Sequence, residues 1–274
     1  MKKIIVPVDF SATAANAAEY AGYFAAFYGA DVLLYHTYEL PVAIGDISYP
    51  VFDVNEMQEA AAHDMAVFKE NLAAKMKVPL TIHTHVEMGI MYTGLTTYCD
   101  AEKPDLVVMG LSGKNALTRL VVGSNTIKTV YNLKYPVLVV PPKAFFAPIR
   151  LIGFACDYRE IARSTPLALI KKFVQDFNAE LHILNVDYNN KNFSADALKE
   201  SFVLSEILGN IKPEYHSVES EDVTVGINWF AEKAKLDLII AVPKKHKLVQ
   251  RMFSRSHTQD LIFHTHLPVL CLHQ

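Results

Sequence analysis

The most specific chemical signal in the chain is a set of glycines at fixed spacing. Val107-Val108-Met109-Gly110 closes an apolar run, Gly113 follows after two intervening residues, and Gly123-Ser124-Asn125 follows after nine more. Glycine permits positive φ or a close approach of backbone to a ligand, and Gly123-Ser124 stands where a helix should begin. A helix N-terminus presents unpaired backbone N–H groups and a partial positive charge, which together suit phosphate. The Ser124 hydroxyl adds a donor, and Lys114 and Arg119 in the same loop carry charge that could neutralise phosphate. This cradle is neither the lysine-containing P-loop nor the dinucleotide fingerprint.

Such a cradle needs strands and helices to aim it. Short β-branched runs bounded by turn residues predict strands over Lys3–Val8, Asp31–Thr37, Leu80–Val86, Asp105–Gly110 and Pro136–Val140, buried on both faces as in a parallel sheet. An alanine-rich helix is expected from about Thr13 to Tyr28, capped by Ser11 or Thr13. The alternation gives a doubly wound α/β sheet of about five strands, whose ligands bind beyond the carboxyl ends of the strands. The residues leaving strands one and four, Asp9 and Gly110, are therefore the ones to watch.

The pattern then recurs. At an offset of 132, Gly94 matches Gly226, Lys103 matches Lys235, Asp105 matches Asp237, Thr126 matches Thr258, and Pro136-Val137-Leu138 matches Pro268-Val269-Leu270. Nearer the start the offset is 148, Asp9 matching Asp157, because the first copy has a longer connection holding Pro41, Gly45 and Pro50. The expected domains are 1–142 and 143–274, meeting near Pro141-Pro142-Lys143 where prolines end a ladder. The fold class expected is α/β, two tandem doubly wound five-stranded parallel-sheet domains. The apolar connection from Tyr38 to Phe52 is expected to cover the first-domain site or to form a subunit contact.

The spacing Gly-x2-Gly-x9-Gly-Ser, with the early strand end Val6-Pro7-Val8-Asp9-Phe10-Ser11, resembles the nucleotide-binding branch of the universal stress protein family. The resemblance spans nearly the whole chain in two copies. It implies a fold that binds ATP between strands one and four. Pro7, Val8 and Asp9 would lie against the adenosine, and the backbone at Thr37 would meet the adenine edge. Met109 and Gly110 would contact the ribose, and Gly113, Gly123, Ser124 and Asn125 would hold phosphates. Asn125 stands where the family more often has an aliphatic residue. Asp9 could accept from ribose hydroxyls or help hold Mg²⁺, and the sequence leaves both open. Family members usually dimerise through the last strand, so a tandem chain implies an intramolecular pseudo-dimer, with a homodimer also open. A role in stress response follows from the same resemblance.

The second copy departs at the cradle. Gly110, Gly113 and Gly123 become Val242, Lys245 and Arg255, each adding a side chain where backbone would approach the ligand, and Val242 tolerates positive φ least. ATP is therefore expected in the first domain only. The replacements are basic (Lys244, Lys245, His246, Lys247, Arg251 and Arg255), which suits a solvated loop or an anion or partner site.

Composition narrows the remaining classes. A net charge of −3 among 274 residues gives no broad electrostatic reason for nucleic-acid or anionic-membrane binding. No stretch approaches the ~20 apolar residues that span a bilayer. Cys99, Cys156 and Cys271 are odd in number and far apart, so buried thiols in a reducing, cytoplasmic setting are expected. His83-Thr84-His85 and His264-Thr265-His266 lack partners at metal-ligand spacing, and no metal is expected. Trp229 and the aromatics around it fall on a predicted helix as core residues. No nucleophile elbow or His-Glu-x-x-His occurs, so the chain is expected to bind rather than to turn over rapidly, slow ATP hydrolysis being compatible. An interaction scaffold, or an ATP-using enzyme of the wider adenine-nucleotide α-hydrolase-like class, are the alternatives. The enzyme lacks its Ser-Gly-Gly-x-Asp-Ser loop after strand one.

Overall fold

A computed structural model describes residues 1–40, 53–111, 124–158, 165–187, 195–243 and 255–273. The first half runs β1 (Lys3–Pro7), α1 (Ala12–Tyr28), β2 (Asp31–Tyr38), α2 (Val54–Lys75), β3 (Ile82–Met88), α3 (Met91–Glu102), β4 (Leu106–Gly110), α4 (Ser124–Asn132) and β5 (Val137–Val140). The second runs β6 (Leu151–Ala155), α5 (Leu167–Phe177), β7 (Glu180–Asp187), α6 (Ala195–Leu208), β8 (Glu214–Glu219), α7 (Val223–Ala234), β9 (Leu238–Ala241), α8 (Arg255–His264) and β10 (Val269–Cys271). All ten strands form one sheet in the order β3-β2-β1-β4-β5-β10-β9-β6-β7-β8. Each half is a parallel, doubly wound five-stranded unit, and the two join where β5 and β10 pair antiparallel, Val139 opposite Val269 and Val137 opposite Cys271.

The central strands β1, β4, β5, β6 and β9 are almost wholly buried, which is why they read as unbroken apolar runs. Small residues let α1 lie close to the sheet through Ala14, Ala17, Ala18 and Ala21. Ser11 caps it by accepting from the Ala14 N–H at 3.2 Å; Thr13 lies inside the helix and contacts the Ser11 hydroxyl. Phe27 of α1 stacks on Phe177 of α5 at 4.6 Å, and Phe24 meets Phe146 and Phe177 edge-on, so aromatic packing joins the halves on one face. From the end of the chain, His273 reaches back to the carbonyls of Tyr135, at 3.0 Å, and Val130.

The repeat is also written in backbone detail. Phe10 and Tyr158, 148 residues apart, both take left-handed φ (59° and 52°), and so do Lys103 and Lys235, 132 apart, at the ends of α3 and α7. Asp105 accepts from the N–H groups of Lys2 and Lys3, as Asp237 does from those of Arg150 and Leu151.

Three expectations change. β1 ends at Pro7, one residue early, and β2 and β3 run on to Tyr38 and Met88, beyond the expected ends at Thr37 and Val86. Trp229 is not core: it is half-exposed on α7 with the Lys233 ammonium 4.7 Å above its ring, while its neighbour Phe230 takes the buried position. Helical periodicity allows only one of two adjacent residues to face the sheet.

Candidate functional site

Beyond the carboxyl ends of β1, β2 and β4, at the point where the chain leaves β1 and β4 in opposite directions, lies a cleft of about 240 Å³. Pro7, Val8, Asp9, Thr37, Met109, Gly110 and Asn125 line it, together with Ala14, Tyr35, His36, Glu39, Met91 and Thr126. Ser124 opens α4 beside it. Gly113, Gly123, Lys114 and Arg119 lie outside the described residues, as does most of the connection from Tyr38 to Phe52.

The floor is held rigidly. His36 and Val8 are joined by a 2.7 Å contact between the imidazole Nδ1 and the Val8 carbonyl. A carbonyl only accepts, so Nδ1 carries the hydrogen. Phe10, in its left-handed conformation, covers that imidazole at 4.3 Å and carries the chain from β1 into α1. Thr126, buried in the first turn of α4, donates to the Gly110 carbonyl at 3.3 Å and ties that helix to the end of β4. Tyr35 donates to the Glu87 carboxylate, and burial followed by that carboxylate pushes its phenol well above the ordinary range.

Gly110 is essential for a different reason than the sequence suggests. Its φ is not positive; a Cβ there would stand 2.6 Å from the Thr13 carbonyl oxygen and 3.0 Å from its carbon. The glycine lets the first turn of α1 approach β4 and close one wall of the cleft. In the second half the corresponding Val242 is buried without difficulty. The two helices explain it. Both end on a left-handed cap, Gly29 for α1 and Asn178 for α5, and counting back from the caps puts Thr165 and Pro166 where α1 has Asn16 and Ala17. Those two residues precede α5, whereas α1 is by then in its second turn.

Charge divides the cleft. The Asp9 carboxylate accepts from the Ser11 N–H at 3.1 Å and from the Ser11 hydroxyl, so a negative charge already sits on the N-terminus of α1. The first turn of α4 contains no acidic residue. The acidic residues that line the cleft, Asp9 and Glu39, thus follow β1 and β2, and the first turn of α4 carries none.

Residues 1–141 match the Universal stress protein family. The chain belongs to that family. Two universal stress proteins of Methanocaldococcus jannaschii are 27% identical over 140 residues, covering 51% of this chain and 81% of the relative, and 25% identical over 155 residues, covering 52% and 96%. A universal stress protein of Archaeoglobus fulgidus shares the fold across both halves, with a TM-score of 0.71, 18% identity, and 99% and 98% of the two chains covered. For a universal stress protein the cleft thus occupies the half that matches the family, at the sheet's topological switch point.

Sequence reasoning missed Tyr35 and His36 of β2 and Glu39 just beyond it, which reach the cleft from the far side of β1. The His36 signal is visible only once β1 and β2 are known to pair with Pro7 opposite Tyr35, which brings the Val8 carbonyl within reach of His36. The basic residues Lys244, Lys245, His246, Lys247 and Arg251 fall outside the described residues, and Arg255 contributes only its place at the start of α8.

Proposed function

We propose that this universal stress protein binds one ATP, in its first half only, and that occupancy biases its conformation or choice of partner during a stress response. The observation that carries the reading is the cleft at the ends of β1, β2 and β4, lined by Pro7–Asp9, Thr37, Met109, Gly110 and Asn125. Its volume, about 240 Å³, lies below the usual ligand-pocket range of ~300–1,000 Å³, so base and sugar fill it and the phosphates extend beyond it. They extend toward α4, whose N-terminus is free of acidic residues, and away from α1, where Asp9 already stands. The Gly113 and Gly123 backbone and the α4 amides from Ser124 and Asn125 receive them. Asp9, with its Oδ1 taken by Ser11, keeps Oδ2 for a ribose hydroxyl or a Mg²⁺ ion accompanying the phosphates.

The second half supports the first as a built-in partner through β5 and β10. None of the three cysteines is in a disulfide and all are buried, as suits the reducing cytoplasm in which we place the protein. Binding rather than rapid turnover is the role assigned, since among the described residues that line the cleft none is a serine, cysteine or lysine that could serve as a nucleophile.

Calorimetric titration with ATP tests this directly. One site per chain is expected, lost in Gly113→Arg and in Gly123→Arg and unchanged in Ser256→Ala, the matching serine of the second half. A wild type that takes up no ATP would refute the proposal and favour a scaffold; a Ser256→Ala variant with halved stoichiometry would refute the restriction to the first half.

A further inference from the structure

The outer edge of the second half carries a second constellation, remote from the nucleotide cleft. His182 on β7 and Glu214 and His216 on β8 share one face, because Glu214 and His216 are two apart on their strand and Glu214 pairs with His182 in the parallel register. His182 Nδ1 lies 2.9 Å from His216 Nε2, and the Glu214 carboxylate Oε2 stands 3.6 Å from each of those nitrogens. Three ligand atoms held by a tetrahedral ion with bonds of about 2.0–2.1 Å stand roughly 3.3–3.4 Å apart, and the observed triangle brackets that spacing.

The two halves make the comparison internal. The register that pairs His182 with Glu214 pairs Leu33 with His83 in the first half, and His85 there matches His216. Tyr98 stacks on His85 at 4.3 Å as Phe230 lies on His216 at 4.5 Å. The scaffolds coincide, and what differs is a buried leucine replaced by a buried imidazole. His182 is 8% exposed, and its Nε2 has no hydrogen-bond partner, so the ring is engaged only through Nδ1, on the side that faces His216 and Glu214. Burying an imidazole in place of leucine is unfavourable unless the ring gains a strong bond, and Nδ1, facing His216 and Glu214, is the atom placed to make one. Among the described residues this is the one group of three or more histidine, cysteine or acidic side chains with ligand atoms so close together.

We propose that His182, Glu214 and His216 bind one divalent transition-metal ion of the zinc class. Two imidazoles and one carboxylate suit such an ion, whereas Mg²⁺ and Ca²⁺ demand oxygen ligands. The Glu214 side chain is 65% exposed, which leaves the fourth position open to water. The ion clips β8, the last strand of the sheet, to β7 and stiffens an edge otherwise held by backbone pairing.

The test is calorimetric titration of the chelator-treated full chain with zinc chloride near neutral pH, with magnesium chloride as the comparison. One zinc equivalent is expected, with a concentration-dependent rise in melting temperature, and no heat from magnesium. His182→Leu restores the residue found at the matching position of the first half, so it should fold and melt normally without zinc yet bind none. His216→Asn, at a more exposed position, should also lose the equivalent, and Glu214→Gln should weaken it at least tenfold, no less than the loss of an outer-sphere partner does. A wild type with no saturable zinc equivalent overturns the proposal, as does an equivalent that survives in either histidine variant or is unaffected by Glu214→Gln.

Discussion

Replacing Gly110 by alanine isolates what this glycine does. Because its φ is not positive, alanine can adopt the native backbone, and the loss of unfolded-chain entropy alone would stabilise the protein by about 0.4–1 kcal/mol. Against that, the new Cβ would meet the Thr13 carbonyl oxygen at 2.6 Å, so the first turn of α1 must retreat by roughly 0.7 Å to restore the ~3.3 Å of an ordinary carbon–oxygen approach. That helix is anchored to the sheet by Ala14, Ala17 and Ala18, all 5% exposed or less, and overpacking so close a contact costs about 1–3 kcal/mol. The net expectation is a loss of about 1–2 kcal/mol, which at about 2–4 °C per kcal/mol lowers the melting temperature by roughly 2–8 °C. Moving α1 also opens the wall formed by Ala14, so ATP affinity should fall in the same variant. Differential scanning calorimetry with and without ATP measures both effects. A Gly110→Ala protein as stable as the wild type, or more so, would refute the close-approach argument and leave the glycine a mere turn residue.

Other expectations concern acidity, backbone and the joint between halves. Burial, then the Asp100 carboxylate, raises the Cys99 thiol from 9.0 to about 12, and burial raises Cys271 further. An acid whose pKa is raised by folding contributes stability that is intact below the unfolded value and lost above it. Between pH 9 and 12 each such thiol should therefore cost about 1.4 kcal/mol per pH unit, with Tyr20 and Tyr35 adding to the loss above 10; a flat denaturation profile from pH 8 to 11 would contradict this. Lys103→Gly should stabilise by up to ~1 kcal/mol, because Lys103 ends α3 at φ 49° where a side chain is disfavoured, and a destabilised variant in urea melts would count against the strained cap. His273→Ala removes both contacts to the Tyr135 and Val130 carbonyls and should cost about 1–3 kcal/mol in the same assay, an unchanged midpoint speaking against a role for His273 in joining the halves.

The sequence carried the architecture because parallel strands buried on both faces leave an unmistakable record. Val107-Val108-Met109-Gly110 and Leu238-Ile239-Ile240-Ala241 are strands in both halves, as their repetition at one offset implies. Local chemistry was readable where it depends on neighbours in the chain: Ser11 caps α1, three residues from the N–H it receives. It was not readable where it depends on register. His36 acquires its partner only through the pairing of β1 with β2, and His182, Glu214 and His216 are drawn from strands more than thirty residues apart. Trp229 was misplaced because an apolar helix face of α7 is wide enough to include it by composition, while the sheet selects Phe230. Gly110 was correctly singled out for its place at the end of β4, but its cause, the Thr13 carbonyl, belongs to a helix almost a hundred residues earlier.

The antiparallel joint between β5 and β10 has a consequence for how the halves can differ. Because each half is internally parallel, reversing one against the other sends the carboxyl ends of β1 and β4 to one side of the sheet and those of β6 and β9 to the opposite side. The described residues that line the first cleft accordingly all belong to the first half, and Val242 lies at the other end of the sheet. The matching edge position shows the same freedom, with Leu33 in one half and His182 in the other on otherwise corresponding strands. Among the described residues the halves meet through several contacts: three register pairs between β5 and β10, the contacts of His273 with the Tyr135 and Val130 carbonyls, the aromatic contact of Phe24, Phe27 and Tyr28 with Phe177, and apolar clusters that draw on both halves. The aromatic contact is the one that α1 itself carries, since that helix runs from the Ser11 cap at the first-half cleft to Phe27 at the joint as a single seventeen-residue helix. On the reading proposed above, a nucleotide that displaced the first turn of α1 would shift Phe27 against Phe177 of α5. Coupling between nucleotide and the second half should therefore weaken in Phe177→Ala while ATP affinity itself is retained, and hydrogen exchange of α5 with and without ATP is the measurement that separates the two; a change in α5 as large as in the wild type would refute this route.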